Sequence, residues 1–329
     1  MPKVLLLRFS SIGDIVLTSP IIRCLKAQVK DVEIHFLTKQ SFGLIVTTNP
    51  NVAKVFTIQK KVSEVLPALK KENYDYIIDL HHNLRTKQVI WLLKKPSKSF
   101  PKLNFRKWLL VQLKINQMPV VHIVDRYFEA TTNFGIRNDF KGLDFFIPAK
   151  DEVKQHEFPE THLKGFVSVV IGAQHYTKRM TNDKIIELCK KLPLPIVLIG
   201  GKEDVINAQI IEKALGYKVY NACGKYNLFQ SASIIKQSNL VISHDTGMMH
   251  IAAAFNKKII SVWGNTVPAF GMYPYMPAHE ENNFLAEVKN LSCRPCSKIG
   301  KTSCPKGHFK CMNDLNTDVI LEKAVAFTS

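Results

Sequence analysis

The sequence predicts an α/β protein of two domains, each a doubly wound, Rossmann-like parallel sheet, and three observations carry that expectation. Short apolar runs of strand length alternate with helical patterns from Lys3 onward, which is the rhythm of βαβ units. The rhythm lapses around Phe145 to Lys164, where Pro148, Pro159 and the mixed charges of Asp151 to Glu160 read as a linker, and then it resumes. Small and polar residues cluster where several apolar runs end, at the carboxyl edge of the sheet where open α/β sheets bind ligands. Two such halves, residues 1–158 and 159–329, would face one another across a central cleft.

In the first half, Lys3 to Phe9 reads as a buried strand, followed by the turn Ser10-Ser11-Ile12-Gly13-Asp14 and an amphipathic helix through about Val29. Strands follow at Glu33 to Thr38 and Ala53 to Ile58, then a helix ending near Asn73 and a strand at Tyr76 to Leu80. The second half has strands at Phe166 to Ile171, Ile196 to Gly200, Val219 to Ala222, Leu240 to Ser243 and Lys258 to Trp263, with helical patterns between them. No solenoid repeat or low-complexity tract interrupts either series.

At 329 residues, with 46% hydrophobic and 22% charged content, the chain can bury a sizeable core. Its longest apolar runs, such as Val89 to Leu93 and Ile251 to Phe255, are far too short to cross a bilayer, and a strand begins almost at Met1. The expected location is therefore cytoplasmic. A formal charge of +18 calls for an acidic partner. From His81 to Val124 there is no Asp or Glu, while Arg85, Lys94, Lys102, Arg106, Lys107 and Lys114 alternate with Trp91, Phe100, Phe105 and Trp108. Such a basic and aromatic segment suits an anionic membrane interface at least as well as it suits nucleic acid.

The richest stretch is Leu240 to Phe255, which compresses a buried strand, a turn and an Ala-rich helix start into a few residues. Asp245, Thr246, Gly247 and His250 fall at the strand end, where a helix beginning would aim unpaired N–H groups at an anion. The alternative is that Asp245 or Thr246 simply caps the helix, and capping and anion binding can share one turn. Asp14 stands in the corresponding place in the first half. From spacing alone it reads first as a favourable charge at a helix N-terminus, and in its functional reading as a general base. Thr177-Lys178-Arg179, after Gly172, could neutralise a phosphate leaving group, with a solvated loop as the simpler alternative, and Glu203, after Gly200-Gly201, is placed to bond a ribose hydroxyl. No complete G-x-G-x-x-G or Walker pattern is present.

Cys24, Cys189 and Cys223 sit alone in apolar surroundings and read as small core residues. Cys293, Cys296, Cys304 and Cys311 form C-x2-C-x7-C-x6-C, which permits a four-thiolate structural zinc site without matching a standard finger. Packed thiols, or a disulfide formed during isolation, remain the alternatives.

Taken together, Ser11-Ile12-Gly13-Asp14, Lys178-Arg179 after Gly172, Asp245-Thr246-Gly247 with His250 to Ala254, and Gly264-Asn265-Thr266-Val267-Pro268 strongly resemble glycosyltransferase family 9, the ADP-heptose:lipopolysaccharide heptosyltransferases. The resemblance spans nearly the whole chain and is specific through the order and spacing of its motifs. It implies a GT-B fold, with the first domain binding acceptor and the second binding the sugar nucleotide. It implies an inverting transfer of heptose from ADP-heptose to the lipopolysaccharide inner core, independent of metal, with Asp14 as base. Lys178 and the Thr246-Gly247 amides would then hold the diphosphate, with Asp245 organising that turn, Glu203 the ribose, and His250 would belong to the nucleotide site. Ser11, Gly13 and Arg85 would serve the acceptor, a phosphorylated, lipid-anchored glycan met at the inner face of the cytoplasmic membrane. No cofactor would be required.

Another nucleotide-sugar donor or glycan acceptor is the alternative within the class. From other classes, the chain could be a basic nucleic-acid-binding protein, although no helix-turn-helix or RNP pattern is present, or a non-catalytic sugar-nucleotide sensor.

Overall fold

Runs rich in Val, Ile and Leu that are buried along all or nearly all of their length cannot sit at a half-solvated sheet surface, and they take the central positions of two parallel sheets. The computed structural model describes residues 1–328. The first sheet contains β1 (Lys3–Leu7), β2 (Glu33–Lys39), β3 (Lys54–Ile58), β4 (Tyr76–Asp79) and β5 (Ser97–Ser99), in the order β3-β2-β1-β4-β5. The second contains β6 (Val167–Val170), β7 (Ile196–Ile199), β8 (Val219–Asn221), β9 (Leu240–His244), β10 (Lys258–Trp263) and β11 (Asn283–Glu287), in the order β11-β10-β9-β6-β7-β8. Every strand pair is parallel.

Each sheet reverses its winding once, between β1 and β4 in the first and between β6 and β9 in the second. A switch point of this kind leaves a crevice beyond the carboxyl ends of its two strands, because the connecting helices diverge to opposite faces. The loops after β1 and β4, and after β6 and β9, are therefore where ligand groups are expected to gather.

The strands β5 and β11 were not expected from the sequence. Each lies at an edge of its sheet, and Ser97-Lys98-Ser99 carries no apolar signature, so pairing with Ile77 to Asp79 recruits it. The single helix expected through Val29 is two, Ile12–Val16 and Ser19–Gln28. Pro20 has no N–H to offer the carbonyl of Val16, and that carbonyl instead accepts the Ser19 hydroxyl at 2.7 Å.

The chain forms two compact units. One comprises Met1–Leu103 and Val121–Phe146, and the other comprises Asn104–Val120 and the chain from Ile147 onward. The division at 158/159 thus falls inside the second unit, and residues 104–120 leave the first. Packing explains both differences. Leu110 and Val111 are buried against Phe270 of the second unit. The proline-marked stretch is tied to the same unit, because Val153 N–H donates to Ser233 Oγ (3.0 Å) and Asn227 Nδ2 donates to Asp151 Oδ1 (2.8 Å).

Candidate active site

In the first unit, β1 delivers Arg8 and the helix after it delivers Asp14, both beside the switch point. Asp14 is the third residue of the Ile12–Val16 helix, and its Oδ2 accepts the Ser11 N–H (3.0 Å) and the Ser11 hydroxyl (2.8 Å). Its Oδ1 lies 2.5 Å from Arg8 Nη2. Burial works to raise the carboxyl pKa, but the guanidinium and the two Ser11 bonds outweigh it and hold the group at about 2. Arg8 is itself only 7% exposed. It is fixed by donating to the carbonyls of Ser10 and Leu80 and to the Tyr127 hydroxyl.

The loop after β4 completes this edge. Buried Asp79 accepts the N–H groups of His81 (2.9 Å) and His82 (2.7 Å) and so shapes the turn. His81 Nδ1 in turn accepts the Phe9 N–H at 3.3 Å. Burial, then Arg8 and Lys102, hold the imidazole down to about 3, so it is neutral at physiological pH. The Arg85 guanidinium stacks 5.3 Å from the Phe9 ring centroid, two residues before Ser11. Ser11, Gly13, Asp14 and Arg85 are thus brought to one sheet edge, together with Arg8 and His81. The sequence marks neither of these last two, because Leu80 and Tyr127, which anchor Arg8, and Phe9, which holds His81, lie at long separation from them.

In the second unit, Lys178 follows β6, and Asp245, Thr246 and Gly247 follow β9. Lys178 Nζ donates to Asp245 Oδ2 at 2.6 Å and to the Asp245 carbonyl at 3.1 Å. Thr266 Oγ1 donates to the same Asp245 Oδ2 at 2.8 Å. Asp245 is therefore held as an organiser of the turn and does not cap the helix. Thr246 occupies the N-cap position of the Gly247–Ala254 helix, yet its side chain makes no capping bond there. Among the described residues, no N-cap side chain accepts from the first-turn amides of that helix, which is the condition for an anion to bind them.

His244 and Asp204, neither singled out from the sequence, support this edge. His244, buried at the end of β9, accepts the Met180 N–H on Nε2 at 2.8 Å and so ties β9 to the segment carrying Lys178 and Arg179. Burial first, then the Arg179 and Lys178 charges, hold it down to about 4. Arg179 donates to Asp204 Oδ1 at 3.1 Å and to the Ala173 carbonyl. Asp204 is thereby turned inward, while its neighbour Glu203 stays exposed beside the end of β7. His250 is 2% exposed, so its imidazole is sealed within the unit rather than presented at the surface.

The loop carrying the four cysteines buttresses this edge directly. Arg294 donates to the Gly264 carbonyl (2.5 Å), the Thr266 carbonyl (2.8 Å) and Glu287 (2.7 Å). Lys301 N–H donates to Thr177 Oγ1 at 2.8 Å, and Thr177 Oγ1 donates to Asn265 Oδ1 at 3.1 Å. Gly264 closes this layer, since a Cβ there would stand 2.5 Å from the Thr177 carbonyl. Cys293, Cys296, Cys304 and Cys311 line one small cavity together with His308, whose Nε2 is 3.8 Å from Cys293 Sγ. Among the described residues, the thiols are not drawn into three ligand atoms within 4.8 Å of one another; Glu33, His35 and Glu72 are. Lys3 and Lys54 already pair with Glu72 at 2.9 and 2.5 Å, so that trio is an ion-pair network. Cys24, Cys189 and Cys223 are buried, as core residues should be.

Two parallel, doubly wound units, with charged and polar side chains gathered at the switch point of each, have the architecture of GT-B glycosyltransferases. Two solved structures share this fold over nearly the full chain. One is a glycosyl transferase family 9 protein from Veillonella parvula, with TM-score 0.79 and 19% identity over 99% of this chain and 97% of that one. The other is the ADP-heptose lps heptosyltransferase II of E. coli, with TM-score 0.74 and 18% identity over 99% and 98%. Among curated relatives, the lipopolysaccharide heptosyltransferase 1 of Campylobacter coli is 24% identical over 289 residues, covering 80% of this chain and 84% of its own. The family model of glycosyltransferase family 9 (heptosyltransferase) matches residues 62–305, and the chain belongs to that family.

Proposed function

We propose that this glycosyltransferase moves heptose from ADP-heptose to the inner core of lipopolysaccharide, with inversion and without a catalytic metal. The observation that carries the reading is the second unit's Lys178–Asp245–Thr266 arrangement, set beside helix amides that no side chain caps. A cation and a helix N-terminus stabilise a departing diphosphate as charge develops on it, which is the work a metal ion does elsewhere. Lys178 and the Thr246-Gly247 amides take the diphosphate, Glu203 the ribose, and His250 supports the nucleotide site from within. In the first unit Asp14 is the base, and Ser11, Gly13 and Arg85 serve the acceptor. The acceptor hydroxyl oxygen bonds to the anomeric carbon as the carbon–oxygen bond to the diphosphate breaks. Asp14 receives the hydroxyl proton, and ADP leaves.

The test is ADP release on mixing the protein with ADP-heptose and a panel of core acceptors. Turnover that Asp14→Asn removes while ADP affinity persists supports the reading. Absence of turnover with every heptose donor rejects this donor, and unchanged turnover in Asp14→Asn rejects the base.

No helix among the described residues is long and apolar enough to cross a membrane. A lipid-anchored, phosphorylated acceptor would hold the enzyme peripherally at the inner face of the cytoplasmic membrane, through basic surface. The cysteine loop supports a second, structural reading, because four thiols lining one cavity are the soft donors that a structural zinc takes. Metal analysis of the purified chain decides it: about one zinc per chain supports the site, and none leaves the cysteines as packed thiols.

A further inference from the structure

We propose that the second unit docks onto an anionic lipid bilayer through one surface, built from the Asn104–Gln112 helix, the loop after it and the cysteine loop. The inference rests on the peripheral membrane reading above and assigns it to particular residues.

Two stretches without any Asp or Glu meet here, although they lie far apart in the chain. One is 104–120, and the other runs from Val288 to Asn313. Lys298 Nζ donates to the Asn104 carbonyl at 3.3 Å, and Lys114 Nζ donates to the Pro295 carbonyl at 2.7 Å. The helix has two apolar faces. Leu110 and Val111 are buried against Phe270. Phe105 and Trp108, one turn apart on another face, are 69% and 45% exposed, and their rings stack with centroids 6.1 Å apart. Leu113 and Ile115 continue the exposed apolar surface, and Ile299, 65% exposed, adds to it from the cysteine loop. Exposed Arg106, Lys114, Lys298, Lys301 and Lys306 belong to the same two stretches.

A concentration of large exposed apolar side chains marks an interaction surface rather than ordinary solvated protein. Charge complementarity identifies the partner. The rings and aliphatic chains fit the acyl boundary of a bilayer, while ammonium and guanidinium groups reach headgroup phosphates. A nucleic acid would engage the cations and could stack on the rings, but it would leave Leu113, Ile115 and Ile299 without a role.

The protein is sedimented with vesicles of phosphatidylcholine alone and of phosphatidylcholine mixed with phosphatidylglycerol. Binding to the mixed vesicles only, weakened by salt, is the expected result. Phe105→Ser with Trp108→Ser should lower the partition by at least about tenfold, and Lys298→Glu with Lys306→Glu should do the same. ADP affinity should be unchanged in both, which shows that the unit is folded. Trp91→Ser, in the exposed part of the first unit's Leu84–Leu93 helix, should leave the partition unaltered. Retained vesicle binding in the Phe105/Trp108 variant overturns this assignment and leaves the membrane reading standing. Failure of the unmodified protein to bind either vesicle overturns both, while ADP release with heptose donors continues to judge the transferase reading. Binding to single-stranded RNA that depends on the lysines but not on Phe105 and Trp108, without vesicle binding, overturns it in favour of a nucleic-acid surface.

Discussion

Arg8 Nη2 and Asp14 Oδ1 stand 2.5 Å apart at the carboxyl edge of the first sheet, and this pair sets the ionisation of the proposed base. A carboxylate held at about 2 is ionised at every pH where the protein works, so it is always ready to receive a proton and is intrinsically a weak base. Proton transfer then runs late, once bond formation has made the acceptor hydroxyl acidic. Arg8→Gln should let burial raise the Asp14 carboxyl above its ordinary range and move the acidic limb of kcat/KM upward by about 2 pH units. The variant should also lose about 3 kcal/mol of stability, because a buried charge partner is gone. A pH–rate profile identical to that of the unmodified enzyme would remove Arg8 from any positioning role.

Acid should weaken the fold in two stages. His244 is depressed from 6.5 to about 4 in the folded chain, so unfolding takes up a proton as pH falls through that window. Its contribution is whole above about pH 6.5 and declines toward pH 4, amounting to about 3 kcal/mol in all. Asp14, depressed from 3.8 to about 2, adds a second loss below that range. Urea unfolding between pH 7 and 4 checks the first stage, and His244→Asn should flatten it.

Lys178→Met should weaken ADP binding by about tenfold or more, since it removes one cation from the diphosphate edge and one partner from Asp245. Thr266→Val should have a smaller effect in the same direction, because it loosens Asp245 without removing a charge. Titration calorimetry with ADP separates the two. Equal affinity in all three proteins would place the diphosphate elsewhere.

Gly264→Ala should cost about 1–3 kcal/mol, because its Cβ would meet the Thr177 carbonyl at 2.5 Å, and that backbone atom cannot swing aside as a side chain would. Arg294→Met should lower ADP affinity without touching nucleotide, by releasing the Gly264 and Thr266 carbonyls. Thermal melting and ADP titration distinguish loss of fold from loss of site geometry.

Much of this protein is legible in one dimension. The βα rhythm gave the class of both units, and the small and polar residues at strand ends marked Asp14, Lys178 and the Asp245-Thr246-Gly247 turn. These signals are local, because strand length, helix period and the residues that follow a strand are written within a few positions of one another. The sequence did not reveal the edge strands β5 and β11, whose pairing comes from a neighbour, nor the break at Pro20, which a continuous apolar pattern conceals.

What the sequence by itself determined is the two-unit α/β plan and the residues standing at the carboxyl edges of its two sheets. Tertiary structure decided how those residues are held: Asp14 against Arg8, Asp245 between Lys178 and Thr266, and His244 neutral beneath the Lys178 segment. It also placed residues 104–120 in the second unit and the cysteine loop against the segment that carries Thr177 and Lys178. The physical reason is that parallel strands are joined by long crossovers. The second unit's partners, Lys178 with Asp245 and His244 with Met180, are therefore far apart in the chain, and no local periodicity records that they will meet.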